Sequence, residues 1–530
     1  MNAWFYGRLR HFKLTSGIIA DIEKRVSVFY PSSRLNIINM TMKHLVKLLL
    51  LNMSVVIFMI FMKFKFYYVI IMLLVMYMMS VGYLRSSFDK NEIRLLRMFE
   101  KFVSELRYKY QLYPVVEEAL REAVDDAEYE MMLHGQLLLE YLSDETACSE
   151  DEYSEVAVNG YFLTLYALCN TVKNYGDKGT DGHSVFLENL GYLKEEIHIE
   201  LLKRSRTGSA FSGLIGTCIL PVFAMGPIEK WAAYNMPEIT ENFESTGGRI
   251  ITVSLGLITI IIYWIISQLK YPVKNDGRIK SRWVNIVHGG IMEKLVVRYM
   301  SFDYKRTVRL NNRLNDMAYT YNVKEFLFRR LVFSVAAFVM GAIICVSVGI
   351  SVAWAFAVML GVYFGTNLML TVKETIMKLE REEEVMRFQN IILMVMNQGR
   401  INVLMILEQM ETFAVAFKGK IQYLVDEYPY KGIKIFEEVK NECGFRPFER
   451  LMDSFTACDV MDISKAFDDI KNDRQYYVEK HKQDNEVLIE NKSAVAKFIA
   501  FIPLYGVVLF KLILPFVISG LKMMSESGLS

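Results

Sequence analysis

Long apolar runs alternate with long polar stretches along the chain. A bilayer core about 30 Å thick is crossed by a helix of roughly 20 apolar residues. Runs that reach or approach this length predict seven membrane spans. They are Leu45–Met62, Phe66–Leu84, Ala210–Pro227, Ile250–Leu269, Leu331–Gly349, Val352–Thr371 and Ala494–Leu521.

The distribution of Lys and Arg predicts the direction in which these spans cross. Basic residues are frequent in 1–44 and in 270–330, and cytoplasmic loops carry such an excess. We therefore expect the N-terminus and both long polar regions in the cytoplasm of a cell (inner or plasma) membrane, with the C-terminus outside. The loop between the third and fourth spans is acidic and is expected outside; its carboxylates are Glu229, Glu238, Glu241 and Glu244.

The two long polar regions, 88–208 (lobe 1) and 373–492 (lobe 2), show helical periodicity. In neither does the period-two alternation of strands persist, so each is predicted to be an antiparallel bundle of about six helices. Turns are expected in lobe 2 at Tyr428-Pro429, Gly444 and Pro447. One apolar helix face in lobe 1 is formed by Leu95, Met98, Phe99, Phe102, Leu106 and Tyr110.

Short motifs recur in the same order at a spacing of roughly 280 residues, which indicates an internal repeat. Tyr141–Glu145 corresponds to Tyr423–Glu427, and Pro221 in the third span corresponds to Pro503 in the seventh. Both prolines are predicted to kink their spans, either to relay motion or as static packing features. The predicted order is lead-in 1–44, hairpin 45–84, lobe 1 (88–208), two spans in 210–269, linker 270–330, hairpin 331–371, lobe 2 (373–492) and the last span in 494–521.

Composition supports an all-α membrane protein, and the motifs above predict a parallel tandem repeat with both lobes on the same side. Hydrophobic residues make up 53% of the chain and charged residues 23%, a combination typical of membrane proteins with large aqueous domains. The chain has 61 Lys and Arg against 59 Asp and Glu. This balance gives no cationic field for nucleic acid.

Motifs of catalysis and metal binding are missing from the sequence. It contains no G-x-x-x-x-G-K-[ST], no G-x-S-x-G and no H-E-x-x-H, so it has no nucleotide site of the P-loop type. The six Cys form no C-x-x-C pair, and the seven His lack ligand spacing. We therefore expect no enzyme activity and no catalytic, cofactor-binding or metal-binding residues.

Lys511 is the one charged residue well inside a predicted span. Intramembrane charges often mark functional sites, where they face a cavity or a partner. Alternatively, a long lysine side chain near a span end snorkels to the interface. The position of Lys511 toward the outer half of the seventh span favours snorkelling.

Two acidic clusters are candidate docking surfaces for a basic cytosolic partner. For any single residue a solvated helix face is the simpler interpretation. The clusters are Asp125, Asp126, Glu128 and Glu130 in lobe 1, and Glu380, Glu382, Glu383 and Glu384 in lobe 2.

A cytosolic six-helix lobe that enters the membrane through a charged helix resembles the type II secretion system F domain. Gly399–Leu404 looks like that family's turn between its first two helices, and Asp462–Phe467 looks like its later motif. Tyr110–Val115 departs from the pattern because it has no glycine. Two spans before each lobe make the chain more similar to Tad-type (type IVc) pilus platform proteins, either as two units in tandem or as one fused pair.

The resemblance implies a platform that couples a separate cytosolic hexameric ATPase to the assembly of pilin or pseudopilin subunits or to protein secretion. Its expected partners are that ATPase, the pilins, the lipid bilayer and further copies of itself, with no nucleic acid and no cofactor. A transporter or channel with regulatory lobes is the alternative, and a membrane-bound enzyme is a third hypothesis. The parallel repeat and the nearly uncharged spans weigh against transport.

Overall fold

Almost all of the described chain is helical, and no strand occurs among the described residues. Most of the linker 270–330 and the hairpin turn at 63–65 lie outside them. The computed structural model describes residues 6, 13–31, 33–62, 66–143, 153, 156–177, 184–271, 298, 300, 304–316, 323–348, 351–396 and 402–526.

The helices have the lengths that apolar periodicity predicts, although several run from an apolar stretch into a polar one without a break. A 3-10 turn at Pro237–Ile239 and a π-helix at Val508–Ile513 lie between α-helices. In chain order the α-helices are α1 (Lys13–Ser27), α2 (Arg34–Met62), α3 (Phe66–Leu112), α4 (Val116–Asp125), α5 (Tyr129–Ser143), α6 (Gly160–Tyr175), α7 (Val185–Ala210), α8 (Leu214–Asn235), α9 (Thr240–Glu244), α10 (Thr246–Lys270), α11 (Tyr304–Asp316), α12 (Val323–Val348), α13 (Ala353–Met396), α14 (Val403–Phe413), α15 (Lys418–Lys431), α16 (Lys434–Cys443), α17 (Arg446–Ala457), α18 (Ile463–Ala466), α19 (Asp468–Ala500), α20 (Ile502–Val507) and α21 (Leu514–Glu526).

The chain divides into two units, and both predicted lobes belong to the same one. Unit 1 contains nearly all of lobe 1 and lobe 2 together with the N-terminal lead-in. Unit 1 is formed by Met1–Leu51, Gly82–Gly208 and Leu379–Val487, and unit 2 by Asn52–Val81, Ser209–Lys378 and Leu488–Ser530.

Lobe 1 has its own apolar core in unit 1. The predicted face of α3 is confirmed, because all six of its residues are buried in this core. Phe99 stacks on Phe162 of α6 with ring centroids 4.0 Å apart. Local capping sets the start of α6, where the Asn159 side chain accepts the backbone N–H groups of Tyr161 and Phe162.

Lobe 2 has a second core, rich in phenylalanine. Phe436 stacks on Phe455 at 5.1 Å between α16 and α17. The predicted turn at Gly444 is confirmed, with the left-handed φ of 61° that favours glycine, and Pro447 lies in the first turn of α17. The predicted turn at Tyr428-Pro429 is wrong: α15 continues to Lys431 and ends at Gly432.

Unit 2 is built from apolar helices that pack closely on one another. A Cβ added to Gly256 of α10 would lie 2.8 Å from the Ile71 side chain of α3, and one on Gly506 would lie 2.9 Å from Leu255. Small residues at such contacts allow membrane helices to approach. The hydroxyl of Tyr263 donates to the Met78 carbonyl oxygen at 2.8 Å.

Among the described residues, six helical stretches are long and apolar enough to cross a membrane, which agrees with an all-α membrane protein. They account for six of the seven predicted spans. The predicted span Val352–Thr371 lies in α13, where several side chains lie outside the described residues. The six are Arg34–Met62, Tyr68–Leu112, Val185–Asn235, Thr246–Lys270, Val323–Ile343 and Val478–Leu521.

The two prolines singled out by the repeat occupy different positions. Pro221 lies inside α8, which continues past it. Pro503 lies in the first turn of α20, after α19 has ended at Ala500. The helical stretch is thus interrupted at Phe501, two residues before Pro503, as expected where a proline lacks the N–H that would bond back along the helix. A kink at Pro503 remains a prediction. The tandem repeat itself remains a prediction.

Lobe 1 and lobe 2 contact each other within unit 1. The start of α6 meets the end of α14, where a Cβ on Gly160 would lie 2.6 Å from the ring of Phe413. Tyr192 of α7 packs against the cores of both lobes. The two lobes are therefore joined by close packing as well as by the chain.

Replacing Gly160 with alanine should destabilise unit 1 by about 1 to 3 kcal/mol, because the new methyl group overlaps a packed ring. The matched control is Gly419→Ala in α15, where nothing lies within 4 Å of an added Cβ. That change should be neutral or slightly stabilising, since alanine favours helix. Thermal unfolding of the full-length protein in detergent measures both. Equal effects of the two changes would contradict this packing.

Candidate functional site

A cluster of charged side chains lies where lobe 1 meets lobe 2, and we call it the charged seam. It consists of Glu196, Glu200 and Lys203 on α7 with Glu383 and Arg387 on α13. The Nζ of Lys203 is 2.6 Å from an Oε of Glu383. Arg387 lies 3.4 Å from Glu196 and 3.5 Å from Glu383. Each cation thus faces a carboxylate across the two helices.

Further ion pairs extend the seam along α7. Arg204 binds Glu200 at 2.7 Å and Glu92 of α3 at 2.8 Å, and Arg206 pairs with Glu486 of α19. The side chains of Glu196 and Glu383 are each only 15% exposed. Salt screens the ion pairs of such poorly solvated carboxylates less than it screens surface pairs. Removing one partner of such a pair therefore costs much of the folding free energy that the pair supports.

Burial raises the pKa of Glu196 to about 7, and the nearby carboxylates of Glu383 and Glu200 add to the shift against the opposing charge of Arg387. Burial also raises the pKa of Tyr161 on α6, which faces Glu196 and Glu200. For Glu200, burial alone would raise the pKa, but Lys203 and Arg204 outweigh it and the pKa is lowered. The pKa values of Glu196 and Glu200, which lie one helical turn apart, are therefore shifted in opposite directions.

The first acidic cluster is largely paired within lobe 1. Lys109 lies 2.6 Å from Asp126, and Lys101 lies 3.3 Å from Glu128. Asp125 remains exposed. Glu130 is half-buried, where it binds Arg94 and accepts a hydrogen bond from Tyr30. The carboxylates of this cluster thus pair with cations along α3. Asp125 is the member most accessible to a partner.

The second acidic cluster divides between surface and interior. Glu380 is exposed, and Glu382 is half-buried. Glu383 belongs to the charged seam. Glu384 is buried, and its carboxylate accepts the backbone N–H groups of the loop before α15, at 2.6 to 3.0 Å. For Glu383 and Glu384, a docking role is wrong because internal partners occupy both carboxylates.

Lys511 lies in the π-helix of unit 2, and its side chain is buried with 1% exposure. Its ammonium group donates to the carboxylate of Glu229 and to the hydroxyl of Thr252, and it lies 5.5 Å from the centroid of the Phe243 ring. The snorkelling interpretation is therefore wrong, because an internal carboxylate satisfies the charge. Glu229 itself lies in α8 and not in a loop.

Sequence reasoning singled out Lys511 but missed its partner, and it missed most of the charged seam. The only sequence signal for the seam is the density of charge in the last turns of α7. No group of three or more His, Cys, Asp or Glu close enough to hold a metal ion occurs in the part of the chain that the structure describes.

Comparison with known proteins gives no match: no protein-family model, no curated protein and no solved structure is similar to this chain.

The titration of Glu196 predicts a specific pH dependence. Because its pKa in the folded chain, about 7, lies above the ordinary 4.5, the folded state binds the proton more tightly than the unfolded state. The stabilisation is complete below the unfolded pKa and is lost as the pH rises through about 7. The unfolding free energy of the wild type relative to Glu196→Gln should fall by about 2 to 3 kcal/mol between about pH 4.5 and pH 8.

Chemical denaturation of the full-length protein across this pH range measures that difference. The control is Glu442→Gln, an exposed carboxylate on α16, which should leave the pH dependence unchanged. Parallel pH curves for the wild type and Glu196→Gln would contradict a raised pKa at this position.

A charge exchange tests the pair of Lys203 and Glu383. Lys203→Glu places two half-buried carboxylates together and should destabilise unit 1 by about 3 kcal/mol. Adding Glu383→Lys restores opposite charges and should recover at least half of that loss, as thermal unfolding would show. If the double variant is no more stable than Lys203→Glu alone, this ion pair does not join the lobes.

Proposed function

We propose that the chain is a platform protein of a cell membrane, which couples a separate cytosolic ATPase to the assembly of pilin-like subunits or to protein secretion. The sequence has no P-loop, so the energy of such a machine has to come from another protein. The chain then acts by binding the motor and by transmitting motion.

The observation that carries this proposal is the continuity of α3, a helix of 47 residues. Its first part contributes Tyr68, Ile71 and Met72 to the apolar core of unit 2. Its second part contributes Phe99 and Phe102 to the core of lobe 1. An α-helix of this length extends about 70 Å, and a load applied to lobe 1 would pass along its backbone to the apolar segment.

The charged seam supports the same role. A motor that displaces one lobe does useful work only if the second lobe moves with it. The ion pairs of Lys203 and Arg387, with the contact of Gly160 and Phe413, join the two lobes into one unit. A hexameric motor would then act on the two lobes as one cytoplasmic unit.

The contact between the lobes also constrains the membrane topology that we propose. Lobes that touch lie on the same side of a membrane, so an even number of crossings separates Gly208 from Leu379. The helices α8, α10 and α12 are each long and apolar enough to supply one crossing. We therefore propose that the first part of α13 is the fourth, as the predicted span Val352–Thr371 requires, which gives seven spans in all.

A transporter is the second candidate, and the ion pair of Lys511 with Glu229 favours it. Paired charges within a membrane segment are common in transport pathways. The pair lies among closely packed helices in unit 2, where Thr252 is fully buried. Solute uptake by proteoliposomes containing the full-length protein would distinguish this candidate from the platform.

The platform proposal predicts saturable, salt-sensitive binding of the full-length protein in nanodiscs to the secretion-type ATPase of the same cell, with stimulation of ATP hydrolysis. Reversing exposed carboxylates of the two acidic clusters, Asp125→Lys or Glu380→Lys, should weaken binding about tenfold at low salt. The control Glu442→Lys, exposed but outside both clusters, should bind as the wild type does. Absence of binding together with solute movement in vesicles would overturn the platform in favour of the transporter.

A further inference from the structure

Lys511 lies at the centre of an irregular segment of the last apolar helix. Among the described residues, Val508–Ile513 is the only π-helix, and it is flanked by α20 and α21. A π turn contains one residue more than the α-helix needs, and such bulges are rare. A π turn persists where side-chain contacts compensate for the poorer geometry of its backbone hydrogen bonds.

The contacts of Lys511 provide that compensation. Its ammonium group joins α8 through Glu229 and α10 through Thr252. The Thr252 hydroxyl in turn donates to the Gly248 carbonyl oxygen at 2.8 Å, so this hydroxyl both accepts and donates a hydrogen bond. A buried charge without its counterion would be strongly destabilising, and this fixes Lys511 against the two helices.

The helices on the two sides of the π turn contact α10 and α8. On the upstream side, Gly506 lies against Leu255 of α10, and Val507 is buried. On the downstream side, the ring of Phe516 in α21 lies 6.5 Å from that of Trp231 in α8. The extra residue of the π turn is what allows α20, Lys511 and Phe516 to make their contacts at the same time.

We propose that the ion pair of Lys511 and Glu229 is a latch that holds this segment in the π conformation. When the pair is broken, the turn relaxes to α-helical geometry and α21 shifts by one residue, a rotation of about 100° and a translation of about 1.5 Å. Phe516 then leaves Trp231. The segment is a two-state device in the membrane unit, and the proposal stands whether the chain is a platform or a transporter.

Cysteine cross-linking in the full-length protein tests the latch. Trp231→Cys and Phe516→Cys, placed in a background without the native cysteines, should be joined efficiently by a short bifunctional thiol reagent. Adding Lys511→Leu should reduce the cross-linking yield about tenfold, since it removes the charge-assisted contacts. The exchange Lys511→Glu with Glu229→Lys should restore the yield.

Deletion of Ile513, an exposed residue of the π turn, separates a register shift from simple loosening. Without this residue the segment is α-helical, while α20 and α21 keep their orientations. The deletion should therefore restore cross-linking in the Lys511→Leu protein and leave the parent protein unchanged. Unchanged cross-linking in Lys511→Leu, or failure of the deletion to restore it in a monodisperse protein, would overturn the latch. If Lys511→Leu does not fold, Thr252→Val provides the same comparison with one acceptor removed.

Discussion

The two most informative sites each place a poorly solvated cation against a carboxylate, because removing such a charge from water is costly without a counterion. In unit 1, Lys203 and Arg387 are withdrawn from water only where Glu196 and Glu383 face them. In unit 2, Lys511 is buried only because Glu229 lies against it. The cost of removing one partner from such a pair makes each arrangement specific, so the ion pairs fix which helices meet.

The charged seam explains how two bundles with separate apolar cores form one unit. Apolar packing alone would tolerate several orientations of one lobe on the other, since it is not directional. Opposite charges alternating along α7 and α13 match in one register, and the tight contact at Gly160 excludes neighbouring ones. Because burial raises the pKa of Glu196 to about 7, the same seam gives unit 1 a stability that depends on pH.

Periodicity predicted what depends on local sequence, including the buried face of α3, the apolar helices and the glycine turn at Gly444. It did not predict the pairing of Lys511 with Glu229, because these residues are separated by 282 positions and no local pattern connects them. The turn at Pro429 was misplaced for a related reason. A proline signal marks a restriction on the backbone, but tertiary packing decides whether a helix ends there, begins there or continues.

Lobe 1 and lobe 2 belong to one compact unit, and side-specific labelling tests most directly the proposal that this unit is cytoplasmic. Single cysteines at exposed positions of the two lobes, Glu118→Cys and Glu442→Cys, would be treated in intact cells with a membrane-impermeant maleimide. The account predicts that neither is labelled until the membrane is permeabilised, and that both are labelled afterwards. Labelling of one position in intact cells while the other stays protected would place the lobes on opposite sides and contradict the account.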